Sequence, residues 1–455
     1  MISARSIAQR LAGLDGIGVG PDGAVGRLAW TAQDAAAQAW FEAQAAGAGL
    51  RVEHDPAGNL WACPGAEPPW WAVGSHLDSV RGGGRFDGPL GVACGFEIAA
   101  GGGRSRRPIA VVSLADEEGA RFNTPTFGSK ALAGRLDLET VLERRDDDSV
   151  SLREAMGAAG VDPSGIASAP AWLELLAGFV EIHIDQTTDL ARAGEPVGVV
   201  SALAARTRLE VTLTGRADHA GTTPRAERRD ALSAAARLIV GAEDLAMAGG
   251  SGSPDGGTGG TAGPLAGRPV SPVGDRLPGP LADRSVSPAA GRAAGPVADQ
   301  LTVTTSRIIT EPNAPTTIAA RVRLWIDARA PSFESVDAWR SELDAMVAEL
   351  AERSGVGIEV AVASRSDPRE FSGEVRAALL RATEEVVGHA APEVVCFAGH
   401  DAGVLAERVP AGMLLVRNPT GVSHSPEEAV SLDDAAIAAR VVDRALELVG
   451  SELVR

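Results

Sequence analysis

The stretch Gly74–Val92 reads GSHLDSVRGGGRFDGPLGV and directly follows the apolar run WWAV at Trp70–Val73. It places His76, Asp78 and Asp87 on twelve residues of glycine-rich chain at the predicted carboxyl end of a strand. An α/β enzyme presents metal ligands on turns of this kind, where flanking glycines let backbone and ion approach closely. The same pattern recurs twice. PIAVVSLADEEG (Pro108–Gly119) ends in Asp116, Glu117 and Glu118, and GFVEIHIDQ (Gly178–Gln186) ends in His183 and Gln186. Short apolar runs with polar ends, separated by helical segments, predict a mixed, mostly parallel sheet with its site at the strands' carboxyl ends.

Around this frame the pattern changes. Thr31–Ala46 has helical periodicity, and RVEHD and NLWAC flank a turn at Pro56–Gly58. TRLEVTLTG (Thr207–Gly215) alternates with period two, as a half-exposed strand does. A helical segment (Arg229–Ala246) and two more alternating runs, QLTVTTSRII and TIAARVRLWIDAR, come after it. Strand–helix–strand–strand predicts a small α+β domain over 206–330, inserted between 1–205 and 331–455 of the larger domain. Helix–strand alternation returns from Phe333 and ends in a helix over Leu432–Leu448. Within the insert, GPLAGRPVSP, GPLADRSVSP and GPVAD repeat at a sixteen-residue spacing from Gly263. Residues 249–298 are too rich in Gly, Pro and Ser to offset the entropy of ordering, which predicts a disordered loop.

The chain has 455 residues, is 45% hydrophobic and 22% charged, and carries a formal charge of −18. That charge argues against nucleic acid or an anionic membrane as partner. No run approaches the roughly 18 apolar residues of a membrane span, and MISARSIAQRLAGL lacks a signal peptide's apolar core. Three widely spaced cysteines, Cys63, Cys94 and Cys396, offer no disulfide framework and fit a reducing, cytoplasmic compartment.

Of seven histidines, five sit in polar contexts: His76, His183, His219 (ADHAGTTP), His400 (AGHDAG) and His424 (VSHSPEE). Each alone reads as an ordinary structural histidine; jointly, with Asp87 and the acids Asp116–Glu118, they suit a dication. Histidine with carboxylate favours Zn²⁺, Mn²⁺ or Co²⁺ over Mg²⁺. HExxH, P-loop and GxSxG patterns are absent.

The strings GSHLDSV, GGRFDGPLGV, DEEGARF, GSKALAG, EIHIDQ, ADHAGTTP with RRDAL, AGHDAG and GVSHSPEE together resemble the zinc-dependent N-carbamoyl-L-amino acid hydrolase and allantoate amidohydrolase family. That family is a branch of the two-metal aminoacylase/carboxypeptidase superfamily. The resemblance runs from about Asp15 to Leu448. It implies an enzyme in which His76 and His183 hold one metal, Glu118 and His424 the other, and Asp87 bridges both. Asp78 is expected to fix the His76 ring by hydrogen bonding, and Glu117 to be the general base. A hydroxide held between the metals would attack a ureido C–N bond. His219 would reach the substrate across a homodimer formed by the inserted lid domain and stabilise the oxyanion. Gln186 and Arg329 match substrate-binding positions, Arg329 as a carboxylate clamp, and His400 is a further substrate-binding candidate.

Two departures concern substrate. The family's Asn thirteen residues before that Arg is Thr316 here, with Asn313 nearby but three residues out of register. Thr187 replaces a Gly and is expected to narrow the cleft floor. Two other readings compete with ureido hydrolysis. One is an aminoacylase or dipeptidase acting on an ordinary amide. The other is a non-catalytic binding protein that keeps the metals, which intact Glu117 argues against.

Overall fold

The structure is a computed structural model that describes residues 2–101, 105, 107–249 and 301–452. The repeat expected to be disordered lies outside the described residues. Among the described residues fifteen strands form in chain order: β1 Arg51–His54, β2 Leu60–Cys63, β3 Trp70–His76, β4 Ile109–Leu114, β5 Leu176–Ile184, β6 Val197–Leu203, β7 Ala205–Thr214 and β8 Asp218–His219. The rest are β9 Thr302–Glu311, β10 Thr317–Ile318, β11 Arg321–Ala330, β12 Gly357–Ser366, β13 Arg369–Glu370, β14 Glu393–Cys396 and β15 Ala411–Val416.

The chain divides into two compact units, Met1–Arg208, Arg329–Val336 and Val362–Arg455 against Leu209–Ala328 and Asp337–Ala361. In the larger unit a nine-stranded sheet runs β1-β2-β4-β3-β5-β15-β6-β13, with β14 also on β6. Its centre, β4-β3-β5-β15, is parallel, and antiparallel strands complete both sides. The parallel centre is buried on both faces, which is why its strands read as continuous apolar runs rather than alternating ones. β3 shows this residue by residue. Trp70 and Ala72 enter the core on one face, with Phe179, Met413 and Leu415. Trp71 and Val73 enter the other, against the helices Pro89–Ala100 and Leu432–Glu452.

Four parallel strands therefore end together, and each end leads into polar chain: His76 closes β3, Asp116–Glu118 come after β4, His183 lies at the end of β5 with Gln186 just beyond it, and His424 lies beyond β15. Gly88 makes one of these turns possible. Its φ is +86°, and a Cβ there would stand 2.6 Å from the His76 ring.

The smaller unit holds the sheet β12-β7-β11-β9, with the helices Ala231–Gly249 and Phe333–Ser354. Strand β7 alternates buried and half-buried along its length, as its period-two pattern predicts. The expected return to the larger domain at residue 331 is only partly met, because Asp337–Ala361 stay in the smaller unit. The physical reason is packing. Trp339 Nε1 donates to Ala242 O at 3.1 Å, tying the second helix to the first. Strand β12 then pairs with β7. Among the described residues no helix is long and apolar enough to cross a membrane.

Candidate metal centre

The larger unit gathers its polar strand ends around the Asp87 carboxylate. His183 Nε2 lies 3.0 Å and His76 Nε2 3.4 Å from Oδ1. His424 Nε2 lies 3.6 Å from Oδ2 and 3.3 Å from Glu118 Oε2. Two ligand groups result, His76–Asp87–His183 and Asp87–Glu118–His424, sharing Asp87.

The donor chemistry fits dications. His76 Nδ1 is 3.1 Å from the Asp78 carbonyl and His183 Nδ1 is 3.0 Å from the Ile184 carbonyl. A carbonyl only accepts, so each Nδ1 carries the proton and each Nε2 presents a lone pair. Both Nε2 atoms are buried without a hydrogen-bond partner, and both face the carboxylate. Lone pairs and an anion converging in a dry site need a cation between them. Without one, protons take its place: burial lowers His183, yet Asp87 overrides this and pushes it up to about 9. Burial alone would raise Asp87, but His183 and His76 hold it well below the usual carboxylate range.

A third group, Glu181–His183–His400, satisfies the distances but shares His183. The Glu181 oxygens already accept from Ser75 Oγ and Ala402 N, both at 2.8 Å. His400 packs its ring 4.3 Å from that of His183, and burial, with His183 second, keeps it well below the usual imidazole range. It is a neutral wall of the site.

Glu117 stands just outside the ligand atoms, its Oε2 3.8 Å from His76 Nε2. Burial pushes it well above the ordinary carboxylate range, against the pull of His76. Glu118 is pushed up to about 8, by burial and then by Asp87.

Asp78 does something other than expected. Its carboxylate is 3.6 Å from His76 Nδ1, too far for a hydrogen bond. It accepts instead from Glu117 N and Glu118 N, both at 3.1 Å, so it fixes the acidic turn, while its own backbone carbonyl fixes the imidazole. Thr187 also differs from expectation. Its hydroxyl donates to Asp185 Oδ1 at 2.8 Å, and it is not among the residues lining the cleft. Gln186 does line it, and donates from Nε2 to Asp87 Oδ2 at 3.1 Å.

Two supporting residues escape a reading of the sequence. Ser423 Oγ donates to Asp87 Oδ2 at 2.7 Å. Glu428 accepts from Phe86 N at 2.7 Å and Asp87 N at 2.9 Å, holding the bridging loop from 341 residues away. Both lie in the GVSHSPEE string, so the one available signal is their nearness to His424.

A cleft of about 580 Å³ opens from the cluster, lined by Asp87, Glu117, Glu118, His183, Gln186, Arg329, His400 and His424 among others. Arg329 Nη1 donates to Phe397 O at 2.5 Å.

His219, Thr316 and Asn313 belong to the smaller unit. Strands β8 and β10 pair His219 with Thr317, and Ala220 N donates to Thr316 O at 2.9 Å. Thr316 therefore borders the His219 loop, and Asn313 is exposed on the same connection. His219 Nδ1 accepts from Gly221 N and Thr222 N, both at 3.1 Å, leaving Nε2 to carry the proton.

Comparison with known proteins identifies the chain's family. The model for peptidase family M20/M25/M40 matches residues 72–448. N-carbamoyl-L-amino acid amidohydrolase of Geobacillus stearothermophilus is 34% identical, with 97% of each chain covered. Allantoate amidohydrolase of Bacillus subtilis is 29% identical, covering 96% of this chain and 95% of its own. Among solved structures, an amidase of the hydantoinase/carbamoylase family from Burkholderia vietnamiensis superposes with a TM-score of 0.76. It is 27% identical, and the match covers 100% of this chain and 98% of that one. With a family match over most of its length and relatives along nearly all of it, the chain belongs to peptidase family M20/M25/M40.

Proposed function

We propose that this protein hydrolyses the ureido C–N bond of an N-carbamoyl-L-amino acid or of allantoate, releasing ammonia and carbon dioxide beside an amine product. The observation that carries the reading is the pair of unpartnered histidine lone pairs facing Asp87, with a separate buried carboxylate, Glu117, beside them. The likeness to amidohydrolases named for these substrates supports it.

His76 and His183 would hold one divalent ion and Glu118 and His424 a second, with Asp87 common to both groups; Zn²⁺ suits this donor set best, with Mn²⁺ or Co²⁺ as alternatives. When bound, such a pair supplies a water nucleophile near neutral pH and a Lewis acid for the carbonyl oxygen. Glu117 accepts the nucleophile's proton and passes it to the departing nitrogen. Its raised affinity for a proton, a consequence of burial, suits both halves of that task. Asp78 keeps Glu117 and Glu118 in place through their amides. His219, whose Nδ1 is occupied by two backbone amides, offers Nε2–H to the developing oxyanion. Arg329 binds the substrate carboxylate, Gln186 and His400 border the reacting group, and Thr316 with Asn313 flanks His219.

We further propose a homodimer through the smaller unit. The helix Ala231–Gly249 exposes Leu232, Val240 and Met247 along one stripe, and the edge strand β9 exposes Ile308. Large apolar residues gathered in this way fit a second copy of the chain. Three free, buried cysteines, Cys63, Cys94 and Cys396, fit a cytoplasmic location.

The family's peptidase members supply a second reading, hydrolysis of an ordinary amide. Ammonia release from N-carbamoyl-L-amino acids and allantoate, compared with amino-acid release from dipeptides, separates the two. Dipeptide cleavage without ammonia from any ureido compound overturns the first.

A further inference from the structure

His219 is exposed on its loop, yet its ring is held at Nδ1 by two backbone amides. Those amides are only as well aimed as the turn that carries them, and one side chain grips that turn from behind. Arg228 donates from Nη2 to Ala220 O at 2.7 Å and from Nε to Thr223 O at 3.0 Å. The two donors form one edge of the planar guanidinium, so a single rigid group spans the turn. Thr223 Oγ1 closes it by donating to His219 O at 2.8 Å.

The first of these bonds reaches the imidazole through one peptide unit. Ala220 O and Gly221 N belong to the same trans peptide, whose carbonyl and N–H point in opposite directions. Fixing Ala220 O against Arg228 therefore aims the Gly221 N–H at His219 Nδ1, 3.1 Å away. A cation on the carbonyl also polarises the unit, which makes its N–H a stronger donor.

Arg228 is half-buried and is itself well anchored. Next to it, Arg229 O accepts from Arg216 N at 2.9 Å, just past the end of β7. One residue further on, Asp230 Oδ1 caps the helix Ala231–Gly249, accepting from Leu232 N and Ser233 N, both at 3.0 Å. Strand and helix of the smaller unit thus set the place of Arg228, and Arg228 sets the place of the His219 turn.

We propose that Arg228 is a positioning residue that keeps His219 in the tautomer with its proton on Nε2, ready to donate. This rests on the reading of His219 as the oxyanion donor, and names the group that prepares it.

The test uses full-length, metal-loaded enzyme with Arg228→Met, Arg228→Lys and, as a control for lost charge, Arg229→Met, at an exposed neighbour. Nitrogen NMR shifts of the His219 ring read the tautomer, and ammonia release from an N-carbamoyl amino acid reads kcat and KM. Wild type and Arg229→Met should carry the proton on Nε2, whereas Arg228→Met should populate both tautomers. Its kcat should fall about tenfold with KM nearly unchanged, short of the about 10²–10³-fold expected from removing the donor outright. Arg228→Lys, able to reach one carbonyl, should recover part of the loss. In a His219→Ala background Arg228→Met should cost nothing further, because its effect passes through the imidazole. A wild-type tautomer in Arg228→Met, or an equal fall in kcat in the His219→Ala background, overturns the proposal. Should Arg228→Met fail to fold, Arg228→Lys takes its place in both measurements, with the same two refuting results. If His219→Ala leaves kcat unchanged, or no ureido compound yields ammonia, the oxyanion reading fails separately and the nitrogen shifts alone decide the role of Arg228.

Discussion

Replacing Glu117 with Gln separates the proposed base from the metal ligands. The side chain is buried, and Gln keeps its size and shape, so the fold should be preserved. Its Oε2 lies 3.8 Å from His76 Nε2, and Glu117 is in neither of the two ligand groups that share Asp87. Glu117 therefore lies outside the ligand set, and the metals should stay. The amide cannot accept the nucleophile's proton. A positioned general base contributes about 10²–10⁴-fold, or roughly 3–5 kcal/mol of barrier at about 1.4 kcal/mol per decade. The upper end is expected, because Glu117 is only 6% exposed and bulk water cannot substitute as base. Ammonia release measured over a range of N-carbamoyl amino acid concentrations should show kcat falling near 10⁴-fold with KM nearly unchanged. Elemental analysis should find the wild-type metal content. Loss of an ion would mean that Glu117 is a ligand. Activity within tenfold of wild type would remove it from the proton transfer.

The same geometry fixes three further outcomes. His219→Ala should lower kcat about 10²–10³-fold, the loss of one oxyanion donor, with metal content unchanged by elemental analysis; a metal-depleted variant would contradict its placement outside the ligand set. Gly88→Ala forces a side chain into positive φ against the His76 ring, and should weaken metal retention at least tenfold in a chelator competition; unchanged retention would refute the steric argument. Burial raises Asp34 from 3.8 to about 7, so the native state binds its proton more tightly than the unfolded chain, and this group erodes stability as pH rises from about 4 through 7. Urea unfolding should therefore show Asp34→Asn gaining about 2–3 kcal/mol relative to wild type between pH 5 and pH 8, and a difference independent of pH would show that Asp34 does not titrate in this range.

Much of the centre is legible in the sequence because its residues sit where apolar runs stop. His76, Glu118 and His183 each terminate or closely succeed a buried strand, and chain order alone puts such ends at one edge of a parallel sheet. The features that escape reading are long-range or atomic. Glu428 grips the Asp87 loop across 341 residues, and no local pattern encodes that closure. Asp78 serves the imidazole expected of it, but through its carbonyl rather than its carboxylate, and two residues of spacing do not distinguish the two. The helix Phe333–Ser354 has the same amphipathic grammar in either unit, and only its contact through Trp339 decides where its greater part belongs.

Whether the residues around Asp87 hold two ions that serve ureido hydrolysis is decided by stripping the enzyme with chelator and titrating a divalent ion back while ammonia release from an N-carbamoyl amino acid is recorded. The stripped protein should show no turnover, and activity should recover fully at two ions per chain. Ammonia release that persists without metal, or that saturates at a single ion, would contradict the two-ion centre.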